Sequence, residues 1–464
     1  MSFTATIHAQ RECFQSNQTK PLDFRIRQLK KLRRLLQQQE PSLYQAIFND
    51  FGKSEFETFL TELSPLYQEI DLYLKKLKKW SKRQFVRTGV ANFPAKSYLV
   101  PEPLGTVLII GAWNYPYHLS LLPVISALAA GNTVIIKPSE LPSQTSAAMA
   151  KLINENFSAD YLHLIEGGAE ETGELLKHRF DKIFFTGSLS VGKTIYRAAA
   201  EHLTPVTLEL GGKSPTFVCA DCDIETTARR IVWGKFLNAG QTCVAPDYIL
   251  VERSIKETFL DALKQEARVY PQNMTAQRDS RTGNYVQIIN QRNFKRLENL
   301  LDQEKAHICF GGHTNPEQRF ISPTILDGIS FASPIMQEEI FGPILPVIAF
   351  DKLDEAICKV KLKPKPLSCY VYSSNQDTID RILNEVSFGG GCVNDSVMQL
   401  SNSNLPFGGV GMSGFGHYHG KAGFDTFTHY KSILHKPFHF ELRLKYPPYS
   451  IRKLKWLKWL LQQL

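Results

Sequence analysis

The sequence lacks any apolar run long enough to cross a bilayer, which takes about 20 consecutive apolar residues. Residues 1–20 are polar and lack the apolar core of a secretory signal, so no leader is predicted. Only eight cysteines are spread over 464 residues, which is not the disulfide framework of a small secreted domain. These absences predict a cytoplasmic protein that folds in a reducing compartment.

The usual signatures of a metal site are also missing. Cys219 and Cys222 form a lone Cys-x-x-Cys pair, whereas a structural zinc site needs four ligands. His417 and His419 have no carboxylate or cysteine at ligand spacing, so no metal site is predicted. The run Leu405–Gly414 has the spacing of a phosphate loop, but the helix that should follow it is missing.

Positive charge is concentrated at one end of the chain. The formal net charge is +9, and residues 436–464 carry many lysines and arginines against the single acid Glu441. A nucleic-acid-binding protein would show a basic face together with a recognisable motif. We find only a basic tail on a nearly balanced body, so no nucleic-acid partner is predicted.

What the sequence does contain is a regular alternation of strand-like and helical runs, which follows helices predicted at 22–40, 44–52 and 58–79. Strands are predicted at 105–110, 133–137, 162–165, 181–186 and 204–208, with helices at 119–130, 143–155, 170–177 and 191–201. This alternation predicts a doubly wound, mostly parallel α/β sheet. Such sheets bind ligands beyond the carboxyl ends of their strands.

A second alternation begins near residue 214. Its predicted strands are 215–219, 248–251, 308–310, 344–349 and 367–372, and its predicted helices are 224–237, 255–267 and 285–303. The sequence therefore predicts a second α/β unit.

One cysteine stands in a connection between two regular elements. Residues 236–248 read Phe-Leu-Asn-Ala-Gly-Gln-Thr-Cys-Val-Ala-Pro-Asp-Tyr, which places Cys243 between Gly240 and Pro246. A cysteine in such a loop is exposed enough to react, whereas a structural cysteine is more often buried within an element. A core cysteine beside a turn explains this stretch equally well.

A carboxylate stands at the end of an apolar strand, in Leu-Glu-Leu-Gly-Gly-Lys-Ser-Pro at residues 208–215. Glu209 would be costly to bury there without a partner or a role. Together the two stretches resemble the active-site signatures of the NAD(P)-dependent aldehyde dehydrogenase superfamily. The form Gly-Gln-Thr-Cys-Val-Ala-Pro-Asp-Tyr resembles its class 3 branch, which includes fatty aldehyde dehydrogenases.

The resemblance implies a division of the chain. It implies an NAD-binding domain from residues 1–85 and 102–209, a catalytic domain from 210–395, and oligomerisation arms from 86–101 and 396–434. Residues 98–101 and 424–430 are expected to form the small sheet of a homodimer. Residues 435–464 remain as a basic amphipathic tail.

Two predicted strand ends carry candidate site residues. Asn114 could merely cap the following helix, but the resemblance makes its side-chain amide an oxyanion donor. Lys137 and Glu140 could simply form a turn, whereas the resemblance makes them hold the adenosine ribose. A carboxylate on the ribose 2′-hydroxyl favours NAD, with NADP also accepted.

Two further motifs point to the same cofactor. Residues 185–193, Phe-Thr-Gly-Ser-Leu-Ser-Val-Gly-Lys, are similar to the family's turn in which Gly187, Ser188 and Gly192 bring a helix N-terminus to the pyrophosphate. Leu189 departs from the small residue or proline usual there. Gln-Glu-Glu-Ile-Phe-Gly-Pro at 337–343 matches another family signature, which implies that Glu339 binds the nicotinamide ribose and that an aromatic ring, Phe341, packs beside the nicotinamide. An acidic turn before a strand is the simpler alternative.

The resemblance also implies a mechanism. Cys243 attacks the aldehyde, the Asn114 amide and the Cys243 N–H hold the alkoxide, hydride passes to NAD, and Glu209 activates the water that hydrolyses the thioester. Glu339 could share the base role.

Two other classes of protein compete with this reading. A cysteine hydrolase would need a partner histidine, and no histidine stands in a motif that suggests one. A membrane-associated binding protein on an inactive scaffold would show damaged chemistry, whereas Cys243, Glu209 and Asn114 are all present.

The sequence does not identify the aldehyde. Four residues are candidates for an apolar tunnel that admits medium-chain, long-chain or other apolar aldehydes: Tyr115, Trp233, Phe236 and Val397. Core packing explains each of them nearly as well.

The last stretch, residues 451–464, predicts an amphipathic helix. At about 100° per residue, one side of it carries Leu454, Leu457, Leu460, Leu461 and Leu464. The other side is basic and polar, Trp456 and Trp459 lie near the flanks, and Lys453 interrupts the apolar side. Such a helix is too short to span a bilayer but suits peripheral contact with a membrane surface through 450–464. Docking on a dimer partner would bury the same leucines.

Overall fold

The computed structural model describes residues 3–89, 92–272, 280–439, 441 and 443–462. Its helices are α1 Phe3–Gln15, α2 Leu22–Phe51, α3 Glu55–Thr58, α4 Ser64–Trp80, α5 Pro116–Ala130, α6 Ser143–Asn154, α7 Ala169–Leu176, α8 Leu189–Ala200, α9 Ile224–Phe236, α10 Lys256–Ala267, α11 Gln291–Gln303, α12 Leu353–Lys361, α13 Gln376–Glu385, α14 Gly420–Thr426 and α15 Ile451–Gln462. A short π-helix, Phe59–Leu63, joins α3 to α4.

The strands fall into separate sheets. They are β1 Gln84–Val86, β2 Lys96–Pro103, β3 Thr106–Ile110, β4 Thr133–Lys137, β5 Leu162–Leu164, β6 Lys182–Thr186, β7 Val206–Glu209, β8 Pro215–Val218, β9 Tyr248–Glu252, β10 Ile308–Phe310, β11 Thr314–Asn315, β12 Phe320–Ile321, β13 Thr324–Leu326, β14 Ile344–Phe350, β15 Ser368–Tyr372, β16 Gly390–Val393, β17 Gly414–Phe415 and β18 Thr428–His435.

The first large sheet has the order β17-β7-β6-β3-β4-β5, and β3 to β7 are parallel. All residues of β3, β4, β6 and β7 are buried, because helices cover both faces of a parallel sheet. The predicted doubly wound α/β fold is confirmed. The strand order reverses at β3, so the carboxyl ends of β3, β6 and β7 meet at the crevice where such folds bind ligands.

The second sheet has the order β10-β13-β14-β9-β8-β15-β16, and it is parallel except for the antiparallel pair β10–β13. The connection from α9 to β9 carries Cys243. Glu209, at the end of β7, is the last residue of the first sheet before the chain enters this second one.

The small sheet has the order β1-β2-β18 and is antiparallel. Strand β18 pairs with β2 along its whole length, from Thr428 opposite Pro103 to His435 opposite Lys96. The two predicted arms therefore meet in the folded chain. Their role in oligomerisation, and the predicted domain boundaries, stay predictions.

Three predicted element bounds were wrong. The predicted helix 285–303 begins only at Gln291, because the preceding backbone is held elsewhere: the Gln287 N–H donates to Phe51 O at 2.9 Å, and the Ile289 N–H donates to Gln241 Oε1 at 3.0 Å. The segment 424–430 starts inside helix α14 and becomes extended only at Thr428. The helices predicted at 22–40 and 44–52 are one helix that continues through Pro41.

Candidate active site

The loop that carries Cys243 is shaped by an unusual backbone turn. Helix α9 ends at Phe236, and the next turn places Asn238 at φ 54°, Ala239 at φ 51° and Gly240 at φ 71°. Gly240 also lies against the Gly342 carbonyl, which an added Cβ would approach to 2.2 Å. A non-glycine residue keeps a left-handed backbone only where surrounding contacts hold it in place. Such residues are found most often at functional sites.

Cys243 is partly exposed to solvent, and its side chain packs against the apolar residues Val244, Leu367 and Val397. Burial raises its pKa to about 12, and the nearby carboxylates of Glu339 and Glu209 act in the same direction. The backbone N–H groups of Cys243 and Val244 donate to the sulfur and partly offset this. The cysteine lies in the predicted loop, and the raised pKa favours the protonated thiol over the thiolate.

Glu209 ends strand β7, where it pairs with Thr186 of β6 and Gly414 of β17. The side chain is buried, and neither carboxylate oxygen has a hydrogen-bond partner among the described residues. Burial therefore raises its pKa well above the usual range. A buried carboxylate without a partner is costly and is expected where a reaction or a ligand needs a base.

Asn114 follows strand β3 and lies against the cysteine loop. Its side-chain amide donates to the Gln241 carbonyl at 3.0 Å. The helix α5 begins after Tyr115 and has no side-chain cap, so Asn114 does not serve as the helix cap. The Tyr115 hydroxyl is 2.7 Å from the Thr242 hydroxyl, which ties the same segment to the residue next to Cys243.

The predicted ribose-binding pair, Lys137 and Glu140, stands at the carboxyl end of β4 and just after it. The Lys137 amine is buried and donates to the carbonyls of Pro138, at 2.7 Å, and Gly167, at 2.6 Å. Burial lowers the pKa of this amine, although the Glu140 carboxylate opposes the shift. Glu140 itself is exposed, so its oxygens face solvent at the crevice.

The predicted pyrophosphate turn begins helix α8. Ser188 is its N-cap and accepts a hydrogen bond from the Val191 N–H. Gly192 packs so closely on Leu210 that a Cβ would come within 2.8 Å of that side chain. Gly187 likewise faces the Phe185 ring, which an added Cβ would approach to 2.5 Å. The first turn of α8 is thus held against the sheet with its free N–H groups at the crevice.

Glu339 and Phe341 approach the same crevice from the second sheet. The Glu339 carboxylate lies against Gly211, where a Cβ would be 2.0 Å from its oxygen. Burial and Asp247 raise its pKa to about 8, while the Gly212 N–H and two lysines, Lys213 and Lys235, oppose the shift.

Phe341 has a left-handed backbone, with φ 49°, and its ring packs edge-on against Trp113 at 5.3 Å between centroids.

The residues around the crevice fit a dinucleotide. The α8 N-terminus offers N–H groups for phosphates, the Trp113–Phe341 pair lies after the end of β3, and the Glu209 carboxylate is near enough to Cys243 to raise the pKa of its thiol. Residues from both sheets would therefore hold NAD or NADP.

The match to a family model now decides the identity. The model described as "Aldehyde dehydrogenase family" matches residues 2–433. This chain belongs to the aldehyde dehydrogenase family. It is an NAD(P)-dependent enzyme that oxidises aldehydes to carboxylic acids.

Individual relatives agree with this assignment. The 4,4'-diaponeurosporen-aldehyde dehydrogenase of Staphylococcus aureus is 48% identical over 96% of this chain and 96% of its own length. The aldehyde dehydrogenase family 3 member A2 of Pongo abelii is 46% identical over 97% of this chain and 92% of its own. The solved substrate-bound state of Staphylococcus aureus AldH matches with a TM-score of 0.96 and 46% identity, over 99% of this chain and 100% of that one. The resemblance to the class 3 branch is confirmed.

The four candidate tunnel residues of this aldehyde dehydrogenase separate into two groups. Trp233 and Val397 pack in one small apolar cluster with Cys243, and Tyr115 is joined to the adjacent Thr242. Phe236 packs instead in the main core, against Tyr270 at 5.6 Å between ring centroids. Core packing therefore explains Phe236, while the other three lie beside Cys243.

Sequence reasoning missed a set of buried charges beside the site. Lys53 lies in the connection between α2 and α3, Glu57 in α3 and Glu62 in the π-helix, and all three are buried. Lys235 is completely buried and its amine has no hydrogen-bond partner among the described residues. Burial lowers the pKa of Lys235 to about 8. Glu62 and Lys235 stand inside predicted helices, where charges are normally solvated, and Lys53 and Glu57 stand in a predicted connection, so no signal in the sequence indicates that these groups are buried.

Within the described ranges, no helix has both the length and the apolar character that crossing a membrane would require. Helix α15 carries the predicted amphipathic pattern in part: Leu454, Trp456 and Trp459 are each more than half exposed. The side chains of Leu460 and Leu461, and the whole of Leu464, lie outside the described part of the chain.

Proposed function

We propose that Cys243 is the nucleophile of this aldehyde dehydrogenase, that Asn114 is the side-chain oxyanion donor and that Glu209 is the base for thioester hydrolysis. The observation that carries this proposal is the convergence of the three at one centre. Asn114 is bonded to the loop of Cys243 at 3.0 Å, and the Glu209 carboxylate is near enough to raise the pKa of the Cys243 thiol.

Each residue then has a defined task in the reaction. Cys243 loses its proton and forms a carbon–sulfur bond to the aldehyde carbon, which leaves a thiohemiacetal oxyanion. The Asn114 amide has a second N–H besides the one used by Gln241, and it stabilises that oxyanion together with the Cys243 N–H. NAD bound in the crevice would supply the acceptor for the hydride that leaves the thiohemiacetal carbon, and this loss leaves a thioester on Cys243. Glu209 then takes a proton from the water that cleaves the thioester.

Proton removal from Cys243 requires a nearby base, because burial keeps its pKa high in the free protein. The carboxylates of Glu209 and Glu339 are the groups that influence the thiol. Glu339 shares the base role under this proposal, since its pKa of about 8 allows it to hold or release a proton near neutral pH.

The cofactor is held by the residues at the strand ends. Lys137 and Glu140 bind the adenosine ribose, and the first turn of α8, from Ser188 onward, holds the pyrophosphate. Glu339 binds the nicotinamide ribose. The exposed Glu140 carboxylate accepts a hydrogen bond from the ribose 2′-hydroxyl and repels a 2′-phosphate, so NAD is preferred while NADP remains usable.

The substrates are medium-chain, long-chain or other apolar aldehydes. Trp233 and Val397 support this, because they form an apolar cluster with Cys243 and Leu367. Each methylene buried in an apolar site contributes about 0.8 kcal/mol. The test is kcat/KM with NAD over aldehydes from acetaldehyde to long alkenals and aromatic aldehydes. A rise with chain length supports the proposal, and a preference for short polar aldehydes contradicts it.

The chain acts as a homodimer whose tail contacts a membrane surface. Helix α15 supports the second part, because its tryptophans are exposed beside Lys455 and Lys458 and suit an anionic lipid interface. We expect deletion of residues 450–464 to release the enzyme from anionic vesicles while preserving activity on short aldehydes.

The deletion is tested by vesicle co-sedimentation at low and high salt, with the mass in solution measured alongside. Vesicle binding that survives the deletion, or a full-length enzyme that never sediments, contradicts the membrane role. A dimer that separates after deletion shows that the tail docks on the partner instead.

A further inference from the structure

A buried ion pair stands directly behind the proposed oxyanion donor. The Lys53 amine lies 2.8 Å from Glu62 Oε1, and both side chains are fully buried. The same amine donates to the main-chain carbonyl of Asn114 at 3.2 Å. It also lies over the Tyr115 ring, 4.3 Å from the centroid. The pair therefore contacts the very residues that connect β3 to helix α5.

Glu62 holds the other side of the same segment. Its second oxygen accepts hydrogen bonds from the Tyr117 N–H, at 3.0 Å, and the His118 N–H, at 3.1 Å. These are free N–H groups of the first turn of α5, where a carboxylate is favoured. Glu62 itself lies in the π-helix Phe59–Leu63. Helices of this type are rare in proteins, and those that occur are often found at functional sites.

The Asn114 carbonyl is held from the opposite side by the cysteine loop. Asn238 donates through its side-chain amide to Asn114 O, at 3.0 Å, and to Gln241 O, at 3.1 Å. Its backbone N–H donates to the buried Glu57 carboxylate at 3.0 Å. The left-handed Asn238 is thus fixed between the N-terminal helices and the loop of Cys243.

We propose that Lys53, Glu62 and Asn238 are positioning residues that hold the Asn114 amide in register with Cys243 for oxyanion stabilisation. This inference rests on the proposed role of Asn114. We call the three residues the Asn114 clamp. The clamp fixes the backbone carbonyl of Asn114 from two sides, so the amide of that residue keeps a defined direction towards the cysteine loop.

The physical reason for such a clamp is the precision that catalysis requires. An oxyanion donor acts only when it lies at hydrogen-bond distance from the oxygen of the adduct. A displacement of about 1 Å at a reacting centre costs up to about 100-fold in rate. A buried ion pair adds little net stability compared with apolar side chains of similar volume. Stability alone therefore does not account for the Lys53–Glu62 pair.

The test is a double-mutant cycle between the clamp and Asn114. Lys53→Met combined with Glu62→Gln removes both buried charges but leaves an oxygen at position 62 for the α5 N–H groups. We expect the single-turnover rate of NADH formation from an alkanal to fall ten- to 100-fold, with NAD affinity unchanged. In an Asn114→Ala background the same pair of changes is expected to lower the rate less than twofold, because the residue through which they act is gone.

A second variant tests the other side of the clamp. Asn238→Gly keeps the left-handed backbone accessible and removes the side-chain donors to Asn114 and Gln241. It is expected to behave in the same non-additive way with Asn114→Ala. If the enzyme that carries both Lys53→Met and Glu62→Gln does not fold, the Asn238→Gly variant still tests the positioning role.

A buried cation at the far end of helix α5 provides the matched control. Arg25 donates to the carbonyls of Ala129, at 3.0 Å, and Ala130, at 3.3 Å. Arg25→Met is expected to lower Tm and to leave the single-turnover rate of the folded fraction unchanged.

The outcomes separate this inference from the proposed function. Clamp variants that lower the rate equally with and without Asn114, or that lower only Tm, overturn the positioning role alone. An Asn114→Ala enzyme with an undiminished rate overturns the proposed oxyanion donor, and the clamp with it.

Discussion

The side-chain amide of Asn114 donates a hydrogen bond to the main-chain carbonyl of Gln241 across 3.0 Å. This contact links the two large sheets beside Cys243, because Asn114 follows β3 and Gln241 lies in the loop before β9. The position of the proposed nucleophile is therefore set by the packing of the two α/β units on each other. The same contact fixes Asn114, the proposed oxyanion donor, relative to the loop of Cys243.

Replacement of the nucleophile is expected to separate chemistry from cofactor binding. Cys243→Ala should abolish NAD-dependent oxidation of an alkanal, since it removes the thiol that forms the carbon–sulfur bond in the proposed mechanism, while the affinity for NAD is retained. NADH production and NAD titration measure the two effects. Cys358→Ala, which removes an exposed thiol, is the control and should keep full activity. Residual turnover in the Cys243→Ala enzyme would show that the nucleophile lies elsewhere.

Glu209→Gln is expected to stop the reaction after hydride transfer. The amide fills the same buried space but cannot take a proton from water, so the thioester accumulates. Rapid mixing with alkanal and NAD should show a burst of NADH equal to the enzyme concentration and then slow turnover. An unchanged steady-state rate would remove Glu209 from the mechanism and point to Glu339 as the base.

Glu140→Ala is expected to weaken NAD more than NADP. The change removes a hydrogen bond from a carboxylate to the ribose 2′-hydroxyl, worth roughly 1.5–3 kcal/mol, so KM for NAD should rise about tenfold or more. KM for NADP should change little or fall. Glu170→Ala, at another exposed acid on α7, should alter neither value. Equal losses for both cofactors would count against the placement of Glu140 at the ribose.

Two stacked histidines are expected to make the enzyme sensitive to acid. His118 and His419 lie 6.2 Å apart between ring centroids, and burial lowers their pKa values to about 4 and about 3. The positive Lys53 amine contributes to the shift at His118. The unfolded chain takes up these protons below about pH 6.5 while the folded chain does not. Stability is thus fully present above pH 6.5 and falls by about 1.4 kcal/mol per histidine for each pH unit below it.

Thermal unfolding between pH 7 and pH 5 tests this expectation. His419→Asn removes one of the two groups and tolerates the positive φ of that position, so its Tm should fall less steeply with acid than that of the unmodified enzyme. His429→Asn, at an exposed position, should follow the unmodified curve. Parallel curves for all three proteins would show that buried histidines do not determine the acid sensitivity.

The sequence predicts the sheets and the loop position of Cys243 well, because both depend on local patterns. Apolar strands such as Thr133–Lys137 alternate with helices of regular period, and Gly240 and Pro246 mark the loop. It does not predict the rise in the pKa of the Cys243 thiol, because the Glu209 and Glu339 carboxylates that contribute to it come from distant parts of the chain. Nor does it reveal Lys53 and Glu62, which are paired only after the N-terminal helices pack on α5.

The wrong start of the helix predicted at 285–303 also results from contacts between distant parts of the chain. Residues 285–290 carry an apolar pattern that suits a helix, yet their N–H groups bond to Phe51, Arg319 and Gln241, from distant parts of the chain. Long-range hydrogen bonds thus override local propensity. Contacts of this kind cannot be read from spacing along the chain.

The central claim, that Cys243 forms the covalent adduct, is tested most directly by the mass of the trapped enzyme. Glu209→Gln enzyme is mixed with excess alkanal and NAD, quenched in acid during the slow phase, digested and analysed by mass spectrometry. We expect one acyl group per chain, located on the peptide that contains Cys243, and none in the Cys243→Ala enzyme. NADH formed in stoichiometric amount without an acyl group on Cys243, or with the acyl group on another residue, would contradict the account.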